Sequence, residues 1–175
     1  MRTPSISTHH SHHGYHAYRT PRLRLDPSDE TIQAGPTTVR FLVTGEDSGG
    51  SIAVFEFMVP AGKRLLAPAH SHDQYEETIY GLDGVITFTV DGVPIDIGPG
   101  QALCIPRGAV HRFDNNGSVD VKGFCAATPA LLGPQFFREA AAIYAEATAG
   151  PPDRAKLMDL MRRNGISPVV PPSAP

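Results

Sequence analysis

The chain has no tryptophan, only two cysteines and no long apolar run. A bilayer core takes roughly 20 consecutive apolar residues to cross, so no membrane-spanning helix is expected. The polar stretch Met1 to Thr20 has no apolar segment of the kind a signal peptide needs. Cys104 and Cys125 lie in strand-like segments and make no CxxC pair, which points to free thiols in a reducing, cytoplasmic setting. Charge of one sign is also lacking. A net charge of −3 with scattered Lys and Arg gives no positive field for a phosphate backbone, so neither nucleic acid nor a membrane surface is an expected partner. At 175 residues the chain fits one domain with tails, and a domain of about 150 residues buries roughly 70% of its unfolded surface without a disulfide or structural metal.

What is present divides into three parts. Residues 1–20 are polar, aperiodic and histidine-rich (His9, His10, His12, His13, His16), which suggests a flexible arm that binds metal only adventitiously. From residue 21 to 128, Gly and Pro punctuate runs of strand length at 38–44, 51–59, 77–82, 85–90, 102–105, 111–115 and 119–126. Asp91-Gly92 is a strong hairpin turn. Short strands in such a series predict an all-β sandwich or barrel rather than βαβ units. From 129 to 175 the pattern turns helical and then Pro-rich. Pro134 suits a first helical position, and Phe136, Ala140, Ile143, Tyr144 and Ala147 share one stripe. A second helix starts at Asp153 as N-cap, carries Leu157, Leu160 and Met161 on one face and stops at Asn164-Gly165. These apolar faces are expected to pack on the barrel exterior, with a lid or a dimer contact as alternatives. Open sheet edges and two amphipathic helices together predict a homodimer.

The chemistry concentrates in a few positions. Outside the arm there are only three histidines, His70, His72 and His111. In an extended strand, residues two apart face the same way, so His70 and His72 project side by side. Glu77 follows after a short turn, and His111 opens a later strand. Isolated strand histidines are more often core or surface residues than ligands, but the confinement of all three to this pattern favours metal ligation. Three imidazoles and a carboxylate suit one divalent transition ion, Fe, Mn, Ni, Zn or Cu, rather than Ca or Mg. If His111 faces inward, alternation turns Phe113 inward as well and Arg112 outward.

These residues resemble the cupins, whose first motif reads G(x)5HxH(x)3-4E(x)6G and whose second reads G(x)5PxG(x)2H(x)3N. The second is matched at every position by Gly100, Pro106, Gly108, His111 and Asn115. The first is matched from His70 and His72 through Glu77 to Gly84, while Gly62 precedes His70 by seven intervening residues where five are usual. Glu76 is the alternative carboxylate, but only Glu77 keeps the required six residues before Gly84. The resemblance runs over roughly residues 37–165, towards single-domain bacterial cupins grouped with quercetin 2,3-dioxygenases. It implies a double-stranded β-helix, a jelly-roll-like barrel with two C-terminal helices, and a metal site made by His70, His72, Glu77 and His111. It further implies an oxygenase of small aromatic or enolic compounds, with Glu77 as general base and a small molecule as partner. A non-redox isomerase, cyclase or lyase, and a non-catalytic small-molecule binding protein, are the alternative expectations.

Overall fold

The computed structural model describes residues 30–147 and 150–169. The histidine-rich arm, the first residues assigned to the barrel (21–29) and the end of the Pro-rich tail (170–175) lie outside the described residues. The strands are β1 (Thr31–Ala34), β2 (Thr37–Val43), β3 (Ala53–Val59), β4 (His70–His72), β5 (Glu76–Asp83), β6 (Ile86–Val90), β7 (Val93–Ile97), β8 (Ala102–Ile105), β9 (His111–Asp114), β10 (Val121–Thr128) and β11 (Ile166–Pro168). A short helix α1 (Gly45–Ser48) precedes β3, and α2 (Pro134–Glu146) and α3 (Arg154–Arg163) follow β10. No helix among the described residues is long and apolar enough to cross a membrane.

The paired strands run antiparallel in two sheets, ordered β1-β2-β3-β10-β5-β8 and β11-β4-β9-β6-β7. Alternation explains why the sheets face each other. In β3, Ala53, Phe55, Phe57 and Val59 are buried, whereas Glu56 faces out and pairs with Arg40 and Lys122. The hairpin at Asp91-Gly92 joins β6 to β7 with both residues at positive φ (47° and 81°) and Val90 opposite Val93, as a type I′ turn requires. Gly84 is bound to its place twice. Its φ is 69°, and a Cβ there would lie 2.7 Å from the Asp120 carbonyl oxygen.

Asn115 ties three segments together. Its side-chain amide donates to the carbonyls of Val59, Pro60 and Val119, and its Oδ1 accepts from the Gly117 N–H. The residue is 1% exposed, so Asn115→Ala leaves the Val59 carbonyl without its partner in a buried setting and releases those of Pro60 and Val119. Unfolding in urea should show a loss on the order of 2–4 kcal/mol, as for a broken buried network. A loss within the scatter of surface substitutions would mean that these bonds are not what holds the β9–β10 corner.

The two C-terminal helices start and stop where the sequence indicates. Pro134 occupies the first turn of α2, and the Asp153 carboxylate accepts from the N–H groups of Ala155 and Lys156 at the head of α3. Gly165 (φ 71°) turns the chain after α3. Their placement differs from the expected exterior packing. Phe136, Phe137, Ala140 and Tyr144 of α2 and Leu157 and Met161 of α3 line the same interior cavity as the three histidines. The helices therefore close the mouth of the barrel, the arrangement first weighed as a lid. The reason is the aromatic wall inside. Phe137 packs edge-on against Phe41 and Phe55, with ring centroids 5.8 and 5.3 Å apart, so the apolar face of α2 is covered by the inner rings of the barrel. The chain then returns as β11, a strand the sequence did not announce, and pairs with β4 so that Ile166 lies opposite His72 and Pro168 opposite His70.

Candidate metal centre

The two sheets contribute to one point from opposite sides. His70 and His72 come from β4 and His111 from β9, where His70 and His111 are direct cross-strand partners. Glu77 comes from β5 in the facing sheet. One ring nitrogen from each histidine lies within 4.8 Å of those of the others, a group able to hold one metal ion. The Glu77 carboxylate stands beside them, with Oε2 3.4 Å from His111 Nε2 and Oε1 3.6 Å from His72 Nδ1. Glu77 is 8% exposed. Glu76, one residue earlier, points to the outside of the barrel and pairs with Arg107.

Each ring is fixed by its surroundings. His70 Nδ1 lies 2.9 Å from the Pro68 carbonyl and His111 Nδ1 3.0 Å from that of Ala109. Donation from Nδ1–H to a carbonyl leaves Nε2 as the free lone pair, the usual way a protein orients a ligating imidazole. His72 stacks on Tyr75 at 4.3 Å, and its Nε2 is buried with no hydrogen-bond partner among the described residues. A buried, unpaired imidazole nitrogen is costly. A metal ion could satisfy this nitrogen, and three imidazoles with a carboxylate beside them are a donor set that fits one.

The electrostatics follow from burial and proximity. Burial, reinforced by His111 and His72, drives His70 down to about 4, so it is neutral at physiological pH. Burial also lowers His72, against the opposing pull of Glu77. Burial would raise Glu77, but His72, the hydrogen bond from His111 and the charges around it hold the carboxyl below its usual value. His111 is the mirror case. Burial disfavours its cation, yet its bond to Glu77 lifts it above the ordinary histidine value.

The rest of the cavity, about 120 Å³, is walled by apolar side chains including Phe55, Phe57, Phe88 and Phe113. Phe113 faces in as alternation from His111 requires, while Arg112 turns out to bond Asp114. The Cys125 thiol faces the cavity too, and burial followed by the nearby Glu77 pushes it well up. Both cysteines are free, Cys104 exposed and Cys125 buried. Reading the sequence placed Phe113 in this wall but missed the rest of it. Strict alternation in β3 would have marked Phe55 and Phe57, but nothing local places Tyr75 against His72.

A double-stranded β-helix with a histidine cluster between its sheets defines a class, and comparison with known proteins agrees. Residues 55–126 match the family described as the cupin domain. The chain is 29% identical over 84 residues to quercetin 2,3-dioxygenase of Bacillus subtilis, covering 48% of this chain and 24% of that protein. It is 33% identical over 85 residues to Protein SchB of Streptomyces halstedii, covering 48% and 60%. The match thus spans less than two thirds of either relative. Among solved structures, a sugar phosphate isomerase of the cupin superfamily from Silicibacter pomeroyi superposes with a TM-score of 0.53 at 20% identity, over 62% of this chain and 75% of that one. KdgF from a Halomonas species superposes with a TM-score of 0.55 at 13% identity, over 63% and 94%. At such identities the likeness is one of fold. Residues 55–126 are thus similar to the cupin domain, and the fold around them is that of a cupin.

Proposed function

We propose that His70, His72, His111 and Glu77 bind one divalent transition metal ion and that the protein is an oxygenase of small aromatic or enolic compounds. The observation that carries this reading is one cluster of three imidazoles and a carboxylate in a cavity walled mostly by apolar side chains. The partial likeness to a quercetin 2,3-dioxygenase supports the reaction class. Bound there, a redox-active ion supplies electron exchange between an organic substrate and O2, and a redox-inert ion only Lewis acidity. Glu77, ionised at neutral pH, accepts the hydroxyl proton of the substrate on its free carboxylate oxygen. The imidazoles hold and tune the site, and the phenylalanine wall keeps water from the proton transfer.

Consumption of O2 with catechols or enolisable dicarbonyls tests this directly. Product formed equally well under strict anaerobiosis would move the protein to the non-redox isomerases, cyclases or lyases. A ligand-induced thermal shift without any turnover would make it a binding protein.

Proton competition gives a second check. A metal-bound imidazole must be neutral. His70 already is, so the proton that must leave is the one on His111, whose value is raised above 6.5. Metal affinity should therefore climb with pH until His111 has lost its proton and level off above that point, and titration with a competing chelator at several pH values reads it. Affinity that stays flat from about pH 6 to 8 would remove His111 from the ligand set.

A further inference from the structure

We infer that the cavity accepts a single ring or a short chain with one oxygen-bearing end, and rejects both flavonol-sized molecules and molecules with a second charged group. This rests on the proposed small-molecule reading of the site and narrows its substrate class. Size is the first limit. An engineered apolar cavity of about 150 Å³ binds benzene, and the cavity here is of the same order, about 120 Å³. A three-ring compound does not fit without displacing a wall.

Polarity is the second limit. No lysine or arginine among the described residues lines the cavity. Away from the histidines and Glu77, its ionisable lining groups are Cys125 and Tyr144, neither of which can carry a positive charge. A carboxylate or phosphate at the far end of a ligand would lie among Phe136, Phe137 and Leu157 with no counter-ion, which is far costlier than leaving it in water.

The wall that sets the size limit is identifiable. Leu65, Ala67 and Leu157 line the inner cavity and also a separate open cleft of about 460 Å³, whose other sides include Pro151, Arg112 and Arg154. These three side chains are the partition between the two spaces, and the arginines stay on the outer side of it. The loop that carries Leu65 and Ala67 is the stretch after Gly62, where the chain is two residues longer than the usual motif. It is laid along β9 by the bonds Leu65 N–H to Phe113 O and Asn115 N–H to Lys63 O.

The test uses protein loaded with zinc, so that binding is read without oxidation, and three probes that all present adjacent oxygens to a metal: catechol, 3,4-dihydroxybenzoate and a 3-hydroxyflavone. Calorimetry should show catechol binding at least about tenfold tighter than either of the others. Leu157→Ala joins the cavity to the outer cleft, and flavone affinity should then rise by about tenfold relative to catechol. Leu65→Ala, at a half-buried position, makes the same comparison if the first variant does not fold. Flavone binding the unaltered protein as tightly as catechol does would overturn the size limit, and equal binding of the carboxylated ring would overturn the polarity limit. Failure of all three probes to bind would defeat the small-molecule reading itself.

Discussion

Protein carrying His70→Ala together with His72→Ala should purify without stoichiometric metal and melt well below the parent. Both side chains come from β4 and lie with His111 in one donor group, so their removal leaves one imidazole and one carboxylate, too few to hold a transition ion against solvent. An ion that binds only the folded state stabilises it by roughly 3–4 kcal/mol when present at 100 to 1,000 times its dissociation constant. The variant should lose that increment, and the parent treated with a strong chelator should fall to a similar melting temperature. The histidine-rich arm provides the control. Deleting residues 1–20 should leave metal content and stability nearly unchanged. Metal lost with the arm and kept by the double variant would place the ion at His9 to His16 instead.

Glu77→Gln should separate holding a metal from moving a proton. The amide keeps the shape and one carbonyl oxygen, so the three imidazoles still retain much of the ion. It cannot accept a proton, and turnover should fall by about 10² to 10⁴, the range for loss of a general base. KM should change less than kcat, because the lost interaction acts in the transition state. Glu76→Gln is the matched comparison. It removes only an exposed ion pair with Arg107 and should alter turnover little. A dead Glu76→Gln beside an active Glu77→Gln would reverse the assignment of the two carboxylates.

Much of the histidine cluster is legible in the sequence. The spacing of His70 and His72 puts both on one face of a strand whatever the fold around them. The choice of Glu77 over Glu76 rests in the sequence on the spacing to Gly84, and the structure adds that Glu77 shares its face with the buried Ile79 while Glu76 shares its face with the outward Tyr80. The capping Asp153 and the stop at Gly165 are local signals, and local signals survive folding. Three short strands were not legible. β1 and β11 have four and three residues, too few for a period, and β7 contains Pro94, which argues against a strand until the hairpin at Asp91-Gly92 fixes its pairing. The destination of α2 and α3 was hidden for a different reason. A helical stripe reports that a face is buried and not against what, and only the converging rings of Phe41, Phe55 and Phe137 show that it closes the barrel. The cavity and its size follow from that closure, so neither the limit on the ligand nor the partition at Leu65 and Leu157 is visible in the sequence.

Anomalous diffraction from crystals of the metal-loaded protein, collected at the absorption edge of the ion found by elemental analysis, tests the metal centre most directly. The expected result is one strong peak between the two sheets, about 2.0–2.2 Å from a nitrogen of each of His70, His72 and His111 and from a carboxylate oxygen of Glu77. A peak bonded to other residues, or an empty histidine cluster in protein that carries a full equivalent of metal, would contradict it.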